Sequence, residues 1–207
     1  MVNTYSELDE YAIDALRELG NIGTGNAMTS LAQMTGQQVS IEVPSVRIVP
    51  YQETPALMGG AESVQTGILM EVSGDISGIF MFLLNEDFTK TMLKGLLGYE
   101  VDDVQDLDEI GNSAICEMGN IMCCSYINAL STMLGLHIRI TVPSVCCDMV
   151  GALLSVPMIR FANMGEELMF IENRFQFDSI SLVSHILFLP ELASLNFLLD
   201  KLGLAYE

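Results

Sequence analysis

The chain has 207 residues, half of them hydrophobic, with 27 acidic against 8 basic side chains and a formal net charge of −19. That balance excludes nucleic acid and anionic membrane as partners, since both recruit basic surface. The apolar half is enough for the core of one large domain or two small ones. No run approaches the roughly 18 apolar residues of a membrane-spanning helix, and "MVNTYSELDE" has no basic region followed by an apolar one. A soluble, cytoplasmic protein without membrane insertion is expected.

In chain order, the first predicted element is a long helix from about Ser6 to Met34, with Gly36 placed where a helix end favours a left-handed residue. The alternating stretch "QQVSIEV" reads as a strand that ends at Pro44. A less regular stretch follows. Then "SVQTGILMEVSG" and "GDISGIFMFLL" read as a hairpin, with Ile79 to Leu84 short and apolar enough for a buried strand. "FLLNEDFTKTMLKGLLG" closes this first part as an amphipathic helix ending at Gly98.

The acidic stretch from Glu100 to Glu109 leads into a second long helix, from about Leu107 to Met133, with Gly135 at its end. The strand "LHIRITV" runs to Pro143, a less regular stretch follows, and "EELMFIENRF" and "SISLVSHILFL" form a second hairpin pair. A closing helix ends at Gly203. The order of elements has repeated itself.

The residues repeat as well. When the sequence slides by 99 positions, the separation of Glu18 and Glu117, Gly20, Asn21 and Ile22 fall on Gly119, Asn120 and Ile121. Leu31, Met34 and Gly36 fall on Leu130, Met133 and Gly135, and "VPSV" at 43–46 falls on "VPSV" at 142–145. Two halves related by a pseudo-two-fold axis are expected. Strands joined by short turns favour an antiparallel sheet, hence an α+β fold with two long motif-bearing helices. No Pro/Gly/Ser linker divides the halves, so residues 1–207 read as one domain of two internal repeats, about 6–100 and 105–205.

Three glycines in "ELGNIGTGNA" raise the possibility of a phosphate-cradling loop. A dinucleotide fingerprint needs G-x-G-x-x-G between strand and helix. Here the spacing is G-x-x-G-x-G within a helical stretch, and the second copy keeps only Gly119. At about 100° per residue, Leu16, Gly20, Gly23, Ala27 and Leu31 share one stripe, as do Ile115, Gly119, Met122, Tyr126 and Leu130. The glycines therefore belong to a packing face, for close approach to a neighbouring helix or sheet.

The opposite stripe carries Asp14, Glu18 and Asn21 in the first copy, and Ser113, Glu117 and Asn120 in the second. A mid-helix Asn costs roughly 0.6 kcal/mol against Ala, and neither Asn is at a cap. An outward amide kept in both copies, one turn from a carboxylate, points to a task for the pair beyond solvation.

Other chemistries find little support. The cysteines, Cys116, Cys123, Cys124, Cys146 and Cys147, show neither C-x-x-C nor a Cys/His spacing and read as buried reduced thiols. His137 and His185 sit in apolar strand-like settings and read as satisfied core or strand residues, with no nearby pattern for a triad. "DVQDLDE" lacks the central Gly and distal Glu of a calcium loop. No metal or cofactor of the chain's own is expected.

The pattern Asp/Ser-x3-Glu-x2-Asn-x22-Pro, met by Asp14, Glu18, Asn21 and Pro44 and again by Ser113, Glu117, Asn120 and Pro143, resembles that of the CheC/CheX/FliY family of chemotaxis phosphatases, most closely CheC. The resemblance spans nearly the whole chain. It implies hydrolysis of the aspartyl phosphate on a CheY-type response regulator, which holds its own Mg²⁺. In that reading Asn21 and Asn120 position water, while Glu18 and Glu117 dock against a lysine of the regulator. Asp14 and Ser113 make accessory contacts, and Pro44 and Pro143 are structural. The resemblance also implies association with the deamidase CheD. A non-catalytic adaptor for a regulator or for CheD is the alternative, and a flagellar-switch component is disfavoured because the sequence shows no added domain. Gly23 and Gly25 stand where the second copy has Met122 and Cys124, so unequal sites are expected.

Overall fold

The computed structural model describes residues 2–36, 38–42, 45–161, 166–177 and 180–204. The first long helix, α1 (Glu10–Thr35), begins later than the periodicity suggests. Tyr5–Glu7 form a separate 3₁₀ turn, and Asp9, in extended conformation, caps α1 by accepting from the Ala12 N–H at 2.9 Å. Asp108 caps the second long helix, α4 (Glu109–Leu134), in the same way through the Gly111 N–H at 2.7 Å. Each cap satisfies a first-turn donor that has no partner within the helix. Both helices stop at a left-handed glycine, Gly36 (φ 66°) and Gly135 (φ 65°), as expected.

Two strands went unread in the sequence. After β1 (Val39–Ile41) comes β2 (Ser45–Pro50), and after β5 (Ile138–Ile140) comes β6 (Ser144–Met149). Pro143 lies three residues beyond β5 and directly ahead of β6, so it opens a strand rather than closing one. This suits a residue that can enter a ladder only at its margin. Pro44 lies outside the described residues. The stretches taken as less regular also contain helices, the short α2 (Thr54–Leu57) and α5 (Val150–Phe161). Pro157 inside α5 obscures its helical pattern.

The hairpins form as predicted: β3 (Val64–Gly74) with β4 (Gly78–Asn85), and β7 (Glu167–Phe177) with β8 (Ile180–Pro190). The helices α3 (Glu86–Leu97) and α6 (Leu192–Lys201) follow them. All pairings in the sheet are antiparallel, in the order β1-β7-β8-β4-β3-β5, with β2 also on β7 and β6 also on β3. The pseudo-two-fold runs between β4 and β8. Each half lends its short strands to the hairpin of the other: β1 and β2 pair with β7, β5 and β6 with β3.

One face of the sheet packs under α1, α3, α4 and α6, and the other under α5 and the Met58 region. Strand β4 is buried on both faces, with Phe80, Phe82 and Leu84 toward the long helices and Ile79, Met81 and Leu83 toward α5. The glycines on the long helices do what their stripe implies. A Cβ on Gly23 would lie 2.6 Å from the ring of Tyr126 in α4, and one on Gly119 would lie 2.6 Å from Ile68 in β3. Removing the side chain is what lets helix approach helix and helix approach sheet.

Candidate functional site

The inward stripes are buried in both copies: Leu16, Gly20, Gly23, Ala27 and Leu31 on α1, and Ile115, Gly119, Met122, Tyr126 and Leu130 on α4. That fixes the rotation of each helix, and the opposite stripe must then face water. Asp14 and Glu18 are exposed and Asn21 is half-buried; Ser113 and Glu117 are exposed and Asn120 is half-buried. The partial burial of each amide against the fold, with the carboxylate one turn earlier free in solvent, is the same in both halves. Neither Glu18 nor Glu117 has an ion-pair partner among the described residues, so each carboxylate is available to an incoming cation.

On α4 the motif lines a shallow groove. Glu109, Ser113, Cys116, Glu117 and Asn120 form one wall, and Val142 and Pro143, from the segment between β5 and β6, form the other. Pro143 and the motif helix, with 22 residues between Asn120 and the proline in sequence, thus meet at one site. Pro143 is buried where it backs the groove. The corresponding residue of the first half, Pro44, lies outside the described residues.

The two amides differ in their support. The Cys124 thiol lies one turn after Asn120 and donates to its Oδ1 at 3.7 Å. Burial, and then the neighbouring Glu117 charge, push the Cys124 thiol upward in pKa, keeping it in the protonated, donating form. Asn120 thus has its oxygen engaged from within its own helix while it lines the groove. On α1 the corresponding position is Gly25, which has open space around it, and Asn21 has no side-chain hydrogen bond among the described residues. The first site has instead an ion pair one turn before Asn21, Arg17 Nη1 to Asp14 Oδ1 at 2.6 Å. Cys116 occupies the place of Arg17 in the second copy.

Two sequence readings need correction. The thiols are not uniformly buried: Cys123 is, Cys116, Cys124 and Cys147 are half-buried, and Cys146 is exposed. Cys116 and Cys124 therefore belong to the site, which their residue type concealed and their spacing from Glu117 and Asn120 would have shown. His137 is neither a core nor a strand residue but lies fully exposed directly before β5, 3.7 Å from Asp75. His185 is buried in β8, and burial lowers its pKa to about 4, but its Nδ1 has no hydrogen-bond partner among the described residues. Neither histidine is near the motif helices' outward faces.

No helix among the described residues is long and apolar enough to cross a membrane. Residues 12–48 and 109–146 match the model of the CheC-like family, one segment in each half and each containing a motif. The chain is 29% identical to the CheY-P phosphatase CheC of Bacillus subtilis over 206 residues, covering 98% of this chain and 99% of that protein. It is 26% identical to the flagellar motor switch phosphatase FliY of the same organism over 140 residues, 67% of this chain and 36% of that one. In fold it is similar to the crystal structure of FliY from Thermotoga maritima, with a TM-score of 0.76 at 22% identity, covering 95% of this chain and 98% of that one. The likeness to the family model thus falls on one segment in each half.

Proposed function

We propose that this protein is a phosphatase that hydrolyses the aspartyl phosphate of a CheY-type response regulator at two sites, one on each long helix. The observation that carries the reading is the outward Glu–Asn pair presented twice in one register on helices whose rotation is fixed by packing. Similarity along nearly the whole length to a protein named a CheY-P phosphatase supports it.

The residues are adequate to the chemistry. Hydrolysis of an acyl phosphate needs a water in line with the breaking P–O bond. That water's oxygen bonds phosphorus, its proton is lost to solvent or phosphate, and the aspartate leaves as carboxylate. The transition state is loose, so positioning contributes more than a strong base. An Asn amide can donate and accept at once, and so can hold such a water. Asn21 and Asn120 are assigned that role. Glu18 and Glu117 take an ammonium of the regulator, anchoring it beside the amide. Asp14 and Ser113 contact the partner on the same stripe. The Mg²⁺ that neutralises the phosphoryl group belongs to the regulator, and this chain supplies no metal. The partner places the protein in the cytoplasm.

The test is decay of a phosphorylated CheY-type regulator with wild-type protein and with the double variant Asn21→Ala/Asn120→Ala. Wild type should accelerate phosphate release and the double variant should return it to the spontaneous rate. Decay that stays fast in the folded double variant removes the assignment. Binding of the regulator with no acceleration by the wild type would favour the adaptor reading instead.

A further inference from the structure

Each motif stripe continues toward the helix N-terminus in the same way. Seven residues before Glu18 stands Tyr11, and seven before Glu117 stands Ile110. Both are far out of the core, Tyr11 77% and Ile110 60% exposed. Tyr11, Asp14, Glu18 and Asn21 lie within an arc of about 80° and span about 15 Å along the helix, as do Ile110, Ser113, Glu117 and Asn120. Single exposed apolar residues are ordinary on a protein surface. Two at the same register, each in line with the same polar pair on the two halves of a duplicated fold, are a repeated arrangement. At the second site the groove adds a further apolar group, Val142, 83% exposed on the opposite wall from Glu117.

From this arrangement we infer that Tyr11 and Ile110 are docking anchors for the phosphorylated regulator, each meeting an apolar patch of that partner about 15 Å from its phosphoaspartate. The inference rests on the phosphatase reading and adds the far end of its interface. The geometry divides the labour along one stripe: the amide at the reacting end, the carboxylate on the partner's ammonium, the apolar side chain closing the contact at the other end. A large side chain released from water at the margin of a charged contact gives affinity that salt does not screen, and the exposed carboxylate cannot supply that.

A second copy of this chain is the competing occupant, and charge disfavours it. Stripe-to-stripe pairing would set Glu18 or Glu117 of two molecules against each other in a chain of net charge −19. In the proposed function the regulator instead brings an ammonium to that place.

The experiment uses the full chain and a purified CheY-type regulator phosphorylated with a small-molecule phosphodonor. Phosphate release is measured against regulator concentration for wild type, Tyr11→Ser/Ile110→Ser, each single variant, and Tyr11→Phe/Ile110→Leu. In the double serine variant KM should rise about tenfold or more with kcat within about twofold. Each single variant should show part of that rise, and the conservative pair should keep the wild-type KM. Matching melting curves establish that these surface variants fold. An unchanged KM in the double serine variant overturns the anchors while leaving the phosphatase reading intact, and so does a loss confined to kcat. A wild-type dimer that Tyr11→Ser/Ile110→Ser dissociates also overturns them, in favour of self-association. No acceleration by wild type overturns the phosphatase reading itself, and the anchors lose their occupant with it.

Discussion

The two long helices have equal length, 26 residues each, and the same outward Glu–Asn register, yet their inward stripes are made of opposite materials. Between its leucines α1 offers Gly20, Gly23 and Ala27, while α4 offers Gly119, Met122 and Tyr126. The mismatch is complementary. Tyr126 fills the space that Gly23 leaves, so one helix surrenders the volume the other supplies. Where the helices meet further along, Ser30 and Ser125 share a hydrogen bond of 2.6 Å. The comparison separates two kinds of requirement. Packing asks that two facing stripes fill the space between them together, so the copies can diverge in opposite directions. The outward Glu–Asn pair faces water and not a second packed stripe, and the two copies match there.

The seam between the helices is the place to break this comparison most severely. Tyr126→Ala leaves a hole against Gly23 and Phe80, whose ring centroid lies 4.7 Å from that of Tyr126, and should cost about 3–5 kcal/mol in denaturant unfolding. Gly23→Ala drives a methyl into the same ring and should cost about 1–3 kcal/mol. Two residues on, Gly25→Ala meets nothing within 4 Å. It should stabilise by up to about 1 kcal/mol through helix propensity alone. If the two glycine variants shift the unfolding midpoint alike, the close approach of α1 to Tyr126 is wrong.

The smallest effect sharpens the comparison at the surface. Cys124→Ala frees the Asn120 amide and should slow the second site about twofold, read in an Asn21→Ala background. Gly25→Cys brings the same thiol to Asn21, where there is room for it, and should raise the first site by a similar factor in an Asn120→Ala background. Equal rates before and after both changes would mean that the thiol contact does not orient the amide.

Much of this was legible in the sequence because it depends on period and on repetition. The rotation of α1 and α4 followed from apolar residues and glycines at helical spacing, and the buried β4 from its unbroken apolar run. The starts of the helices were missed by a few residues because Tyr5–Glu7 also turn helically before Asp9 interrupts the chain. Strands β2 and β6 were missed because a proline segment separates each from the strand before it, and "SVCCDM" lacks the alternation of a half-buried strand. Nothing local could reveal the exchange of short strands between halves, since β1 and β2 find β7 more than a hundred residues away. That interlacing ties strands of both halves into one sheet among the described residues. The groove on α4 depends on it too: Val142 and Pro143 reach the motif helix because β5 and β6 dock on β3, the hairpin of the other half.

The central claim is that each helix carries a working Glu–Asn pair of its own. The most direct measurement is phosphoaspartate decay on a CheY-type regulator with wild type, Asn21→Ala, Asn120→Ala and the double variant. The two single variants should each retain part of the acceleration, in unequal shares, and the double variant none. A single variant that already abolishes the acceleration would contradict two independent sites, and a double variant as fast as wild type would contradict the sites altogether.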